Sequence, residues 1–201
     1  MKRFFILLVA IVTGFAFWSF LPKQKPHEVL SYVQHGKETV IAENQSEILI
    51  DREDFGLRFF SKRYNSVNKE YYSVQIAAFR NKDSWELIQE GQKLNETACF
   101  GRGMGMAAGQ AGYEALFIRK NGHHYLFYED GESGRVELLE ERGEYLKLEF
   151  QISQFSYNGK TVAVGQSKYP EIYLAILTNR NLNDKIDKGE LRKLKVRFKN
   201  G

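Results

Sequence analysis

Apolar and aromatic residues are spread along most of this chain in short runs, separated by Gly, Asn, Asp and charged clusters, a spacing that belongs to strands and turns. Glu28–Val33 and Thr39–Ala42 flank His35-Gly36 as a hairpin, and Glu47–Asp51 and Phe55–Phe60 follow as further strands. Asn65–Lys69 reads as a polar loop. Tyr71–Phe79 alternates, with Tyr72, Val74, Ile76 and Ala78 on one face. Asp83, with Glu86 three residues on, has the spacing of a helix start and predicts one helix over 84–91; Trp85, Ile88 and Leu94 then face the core. In the second half Asn121-Gly122 joins Glu114–Lys120 to His123–Glu129, because a two-residue turn of this kind needs positive φ at both central positions. Gly131–Gly134, Arg142-Gly143 and Asn158-Gly159 punctuate Arg135–Glu140, Glu144–Phe155 and Lys160–Gly165, and Glu171–Thr178 and Leu191–Phe198 close the chain. About ten or eleven short strands with one short helix predict a mainly β fold: a single antiparallel β-sandwich, with a jelly-roll-like or barrel arrangement as the alternative.

One run breaks this pattern. Phe4–Leu21 (FFILLVAIVTGFAFWSFL) holds eighteen residues without a charge, preceded by Lys2 and Arg3 and followed by Pro22, Lys23 and Lys25. It reads either as a cleavable signal peptide or as an uncleaved anchor. Gly14-Phe15-Ala16 is the passable cleavage site. As a helix the run would span roughly 27 Å, enough for a thin hydrocarbon core, with Trp18 at interfacial depth. The expected organisation is therefore a targeting segment with a short linker over 1–26 and an extracytoplasmic β domain over 27–201, in contact with a membrane through residues 4–21.

Composition changes meaning once that segment is set aside. The chain carries 29 basic and 25 acidic residues, but residues 1–26 hold Lys2, Arg3, Lys23 and Lys25 and no acid, so 27–201 is neutral. A neutral domain lacks the basic footprint of a nucleic-acid binder, and no nucleic-acid partner is expected. Charge is uneven within it: Glu129–Glu149 is acidic and Arg180–Lys199 basic, which predicts either two neighbouring segments or a basic surface for an anionic partner. The sole cysteine, Cys99, permits no disulfide within the chain and reads as a small buried hydrophobe.

Candidate chemistry is sparse. Gly103, Gly105 and Ala108, with Glu129 further on, fit the spacing of a dinucleotide fingerprint. The polar stretch Lys93–Ala98 before it and the glycines within it argue against the strand and helix that motif requires. His123 and His124 would point to opposite strand faces and do not form a ligand pair. The acids Glu129, Asp130, Glu132, Glu137, Glu140, Glu141 and Glu144 suit turns and sheet edges, or else a hydrolase acting on envelope polymers through two carboxylates.

Asn179 to Glu190 alternates oxygen-bearing side chains over twelve positions, with Ile186 at the eighth and Glu190 at the last. This stretch resembles an EF-hand calcium loop. The resemblance implies weak calcium ligation by Asn179, Asn181, Asn183, Lys185, Asp187 and Glu190, with position seven (Lys185) served in that family by a backbone carbonyl. Asp184 stands where the family has glycine, and the flanks read as strands rather than helices, so the likeness is confined to the loop. The function expected is a non-catalytic binding or structural module of the cell envelope, membrane-tethered or secreted, with a protein or glycan partner. Its aromatic residues Phe59, Phe60, Tyr64, Tyr71, Tyr72, Tyr125, Phe127 and Tyr128 exceed what one core face needs, so some rings are expected at the surface.

Overall fold

The computed structural model describes residues 29–66, 69–72, 74–97, 99–101, 104–105, 115–119, 137–157, 160–181 and 183–199. The apolar run Phe4–Leu21, the turn Asn121-Gly122, both of His123-His124 and the acids Glu129, Asp130 and Glu132 lie outside the described residues.

The described residues open with a hairpin, β1 (Leu30–Gln34) and β2 (Lys37–Ile41), turning through His35 (φ 52°) and Gly36 (φ 72°). Two positive φ values are what a two-residue turn between twisted strands demands, and Gly36 meets its share without strain. There follow β3 (Glu47–Ile50), β4 (Phe55–Ser66), β5 (Lys69–Tyr72) and β6 (Val74–Phe79). A short helix α1 (Lys82–Glu86) and a 3-10 turn (Leu94–Glu96) lead to β7 (Phe100–Gly101), β8 (Met104–Gly105) and β9 (Ala115–Arg119). The last strands are β10 (Glu137–Arg142), β11 (Tyr145–Ile152), β12 (Gln154–Tyr157), β13 (Lys160–Ala163), β14 (Glu171–Thr178) and β15 (Leu191–Phe198).

Thirteen of these strands form two large sheets, and β7 and β8 pair as a separate two-stranded ribbon. The first runs β10-β11-β4-β1-β2, with β5 paired to the far end of β4; the second runs β13-β12-β9-β6-β14-β15-β3. Pairing is antiparallel throughout both except where β3 joins β15 in parallel. Leu57, Phe59, Leu148 and Phe150 of the first sheet meet Ile76, Leu174, Leu194 and Val196 of the second in one buried core. The protein is thus a mainly β, largely antiparallel sandwich, as the turn-punctuated pattern predicts.

The second sheet is covered on its outer face too. Ala77, Phe79, Tyr173, Ala175 and Leu177 pack there against Trp85, Ile88, Leu94 and Ile186. Trp85 donates its Nε1–H to the Leu174 carbonyl at 2.8 Å, so the indole is satisfied while buried. This second layer explains why the residues of β6 on both faces are buried.

Four local readings differ from the structure. The helix begins earlier and is shorter than 84–91, because Asn81 rather than Asp83 is its cap: its Oδ1 accepts the Ser84 N–H at 3.0 Å. Of the polar stretch 65–69, Asn65, Ser66 and Lys69 are paired strand residues, since β4 runs on to Ser66 and pairs with β5. Glu144–Phe155 is two strands, with Ser153 carrying the chain from the first sheet to the second. Finally, the described parts of the acidic and basic segments lie in different sheets: β10 and β11 in the first, and β15 in the second, where Lys195, Arg197 and the following Lys199 meet Glu47, Asp51 and Glu171.

Candidate functional site

At one end of the sandwich the sheets part around a cavity of about 450 Å³. That volume lies within the range of small-ligand sites, roughly 300–1,000 Å³. Leu30, Phe59, Val74 and Ile176, all from the core, supply its apolar wall, and Leu191 adds to it. The first described residue, Val29, also lines it. Polar groups gather at the same end: Glu43 after β2, Thr178 at the end of β14, Arg180 and Glu190 from the loop, and Arg192 on β15.

Arg192 is the unusual member. It alternates with Leu194, Val196 and Phe198, so it lies on the core-facing side of its strand. Its Nη2 donates to the carbonyls of Ile41 (3.0 Å) and Ala42 (2.6 Å), which fixes the guanidinium against the end of β2. Its Nε is buried with no hydrogen-bond partner. Desolvation pulls its pKa below the ordinary guanidinium value, opposed by the charge of Glu43. Among the described residues it forms no ion pair within 4.0 Å.

The loop resembling a calcium site borders this cavity. Glu190 is buried, and both its carboxylate oxygens accept main-chain hydrogens: Oε1 from Arg180 N–H at 2.7 Å, Oε2 from Asp187 N–H at 3.0 Å. Asp187 Oδ2 accepts the side-chain amides of Asn181 (2.9 Å) and Asn183 (2.7 Å). Asn183 Oδ1 accepts the Lys185 N–H, and Asn179 Nδ2 donates to the Asn183 carbonyl at 2.7 Å. The loop is further tied to the segment after α1, where Leu94 N–H meets the Asp184 carbonyl and Gly91 N–H meets that of Ile186. Tested against calcium, this donor set is divided. Glu190 already serves two amides, and two Asn amides turn N–H groups inward. The buried Oδ1 of Asn179, however, is an oxygen with no partner, and a hard cation would take it. Among the described residues no three His, Cys, Asp or Glu side chains cluster for a metal.

The other candidate features disperse. Phe100–Gly101 pairs antiparallel with Met104–Gly105, and a 3-10 turn stands before them where a dinucleotide site requires a strand. Cys99 is buried, and desolvation pushes its thiol up to about 12, against a weak opposing hydrogen bond from Thr97; it packs as an inert hydrophobe. Among the acids of 137–149, Glu140 meets Arg142 at 2.5 Å, Glu144 meets Lys62 at 2.9 Å and Glu149 meets Arg58 at 2.7 Å. Phe59 and Phe60 are buried, and the side chains of the other six aromatics singled out lie outside the described residues. The exposed large hydrophobics among the described residues are aliphatic: Val40, Leu49, Leu87, Leu138 and Leu139.

Sequence reasoning therefore found the loop but missed the cavity beside it. The signal for the latter was an arginine at an inward position of an otherwise apolar alternation, Arg192-Leu194-Val196-Phe198. No family model, curated protein or solved structure matches this chain.

Proposed function

We propose that this chain is a non-catalytic binding module of the cell envelope, tethered to or released from a membrane by residues 4–21, and that it receives its ligand in the cavity at the end of the sandwich. One observation carries the reading: a cavity of about 450 Å³ with walls continuous with the core, and a core-facing arginine at its edge. Apolar walls with a few placed polar groups are the usual make-up of a ligand site. The described acids of the 137–149 segment favour binding over envelope-polymer hydrolysis, because three of them are committed to basic partners.

The test uses the full-length protein and a neutral naphthylamine dye that fluoresces in apolar surroundings. The dye should bind with one saturable site, and Thr178→Phe, which projects a ring into the cavity from the end of β14, should abolish that binding while the melting temperature holds. Dye binding unchanged in Thr178→Phe, or no binding by the wild type, overturns the proposal. A second reading, calcium held weakly by the Asn179–Glu190 loop, is favoured by the partnerless Asn179 Oδ1. In this role calcium would order the cavity's rim rather than take part in any reaction.

A further inference from the structure

The cavity lies where the described chain begins, and Val29 is part of its lining. Eight residue steps separate Val29 from Leu21, the end of the apolar run. Fully extended they span at most about 28 Å. With residues 4–21 in a membrane, the cavity is held within that distance of the lipid surface. The intervening linker carries Lys23 and Lys25 and no acid before Glu28, a charge pattern attracted to anionic headgroups.

The chemistry of the cavity fits such a surface. Its lining is divided between aliphatic and aromatic residues and polar ones, and the polar side includes two arginines, Arg180 exposed and Arg192 half-buried. The carboxylates nearby do not quench Arg192. Glu190 is occupied by two main-chain N–H groups, and Glu43 acts on Arg192 only through longer-range charge. A desolvated arginine with no ion pair among the described residues is costly, and an incoming anion offsets that cost. An apolar body with an anionic head satisfies both halves of the site at once.

Resting on the binding reading above, we infer that the ligand is an anionic lipid drawn from the membrane that tethers the protein, with an acyl chain between the sheets and its head at Arg192 and Arg180. Electrostatic selection then comes from the arginines and capacity from the apolar wall.

The experiment places the full-length protein in phosphatidylcholine vesicles with dansyl undecanoate as the fluorescent probe. Dodecanoate should displace the probe about tenfold more effectively than dodecanol or dodecylammonium, the gain of one charge-assisted hydrogen bond. Arg192→Met should erase that preference. Because Arg192 also holds two carbonyls of β2, the exposed Arg180→Glu serves as the second variant and should weaken dodecanoate binding while the fold is kept. Phosphatidylglycerol included in the same vesicles should displace the probe, and phosphatidylglycerol in separate vesicles should not. Equal displacement by the three dodecyl compounds overturns the anionic preference, while the naphthylamine result still supports the cavity. Displacement by dodecanoate but not by phosphatidylglycerol in the same bilayer overturns the lipid source in favour of a soluble amphiphile. No binding of either probe removes the binding reading itself.

Discussion

Glu190 shows how a single residue can be conspicuous in sequence for one reason and matter in structure for another. As the twelfth position of a calcium-like loop it stands where a bidentate ligand belongs; in the fold its two oxygens clip the main chain at Arg180 and Asp187. Glu190→Gln keeps one acceptor but turns an amide toward an N–H donor inside a buried site. The expected cost is about 2 kcal/mol, seen as a fall of roughly 4–8 °C in the melting temperature of the full-length protein without calcium. The calcium reading has its own outcome. Millimolar calcium should raise the wild-type melting temperature by mass action, and Asn179→Ala should remove that rise. An unshifted wild type leaves the loop as a hydrogen-bonded turn. What was legible here was the oxygen-rich alternation; which oxygens face main-chain amides depends on loop closure, which residue spacing does not encode.

At the scale of elements, the outer face of the first sheet is held by a charge ladder that crosses four strands. Glu38 on β2 accepts from Ser31 Oγ (2.6 Å) on β1 and Arg58 Nη1 (2.6 Å) on β4, and lies 3.1 Å from Lys147 Nζ on β11. Arg58 Nε reaches on to Glu149 at 2.7 Å. Gly56 makes the room, since a Cβ there would sit 2.9 Å from Glu149 Oε1. Desolvation raises the Glu38 pKa, but the bonds from Ser31, Arg58 and Lys147 outweigh it and bring it from 4.5 to about 2. A carboxylate with a depressed folded pKa stabilises above its unfolded value and loses that contribution as pH falls through the folded one. Stability should therefore decline from about pH 4.5 toward pH 2, by roughly 1–2 kcal/mol after discounting for partial exposure. Urea titrations of wild type and Glu38→Gln should converge at the acid end of this window; parallel curves throughout would deny the ladder its role. Such strands were readable as strands from their turns, as with His35-Gly36. Their sheet membership was not, because the shift at Ser153 from β11 to β12 carries no glycine or proline and the extended pattern runs straight through it. Equally, the burial of both faces of β6 depends on Trp85, Ile88 and Ile186 arriving from elsewhere in the chain.

For the whole molecule, the arrangement of charge and of apolar surface gives the N-terminal run its importance. The domain after residue 26 is neutral, and among its described residues the large hydrophobics lie mostly in two buried clusters, apart from scattered aliphatics such as Leu49 and Val40. An eighteen-residue uncharged segment is long and apolar enough to enter a bilayer by itself. The protein's address should therefore reside in residues 1–26, and its orientation in Lys2 and Arg3, which the positive-inside rule keeps on the cytoplasmic side. Cells expressing the protein with a C-terminal tag provide the measurement. The tag should sediment with membranes and be removed by protease added outside the cytoplasmic membrane, or else appear in the extracytoplasmic soluble fraction on a chain shortened near Ala16. Replacing Val9 and Ile11 with Asp should collapse either outcome into a cytosolic product of full length, since charges at the centre of the run cost roughly 2.5–3.5 kcal/mol each on insertion. If the unaltered protein already accumulates full-length in the cytosolic soluble fraction, the tether is lost, and with it the geometric argument that brings a lipid to Arg192.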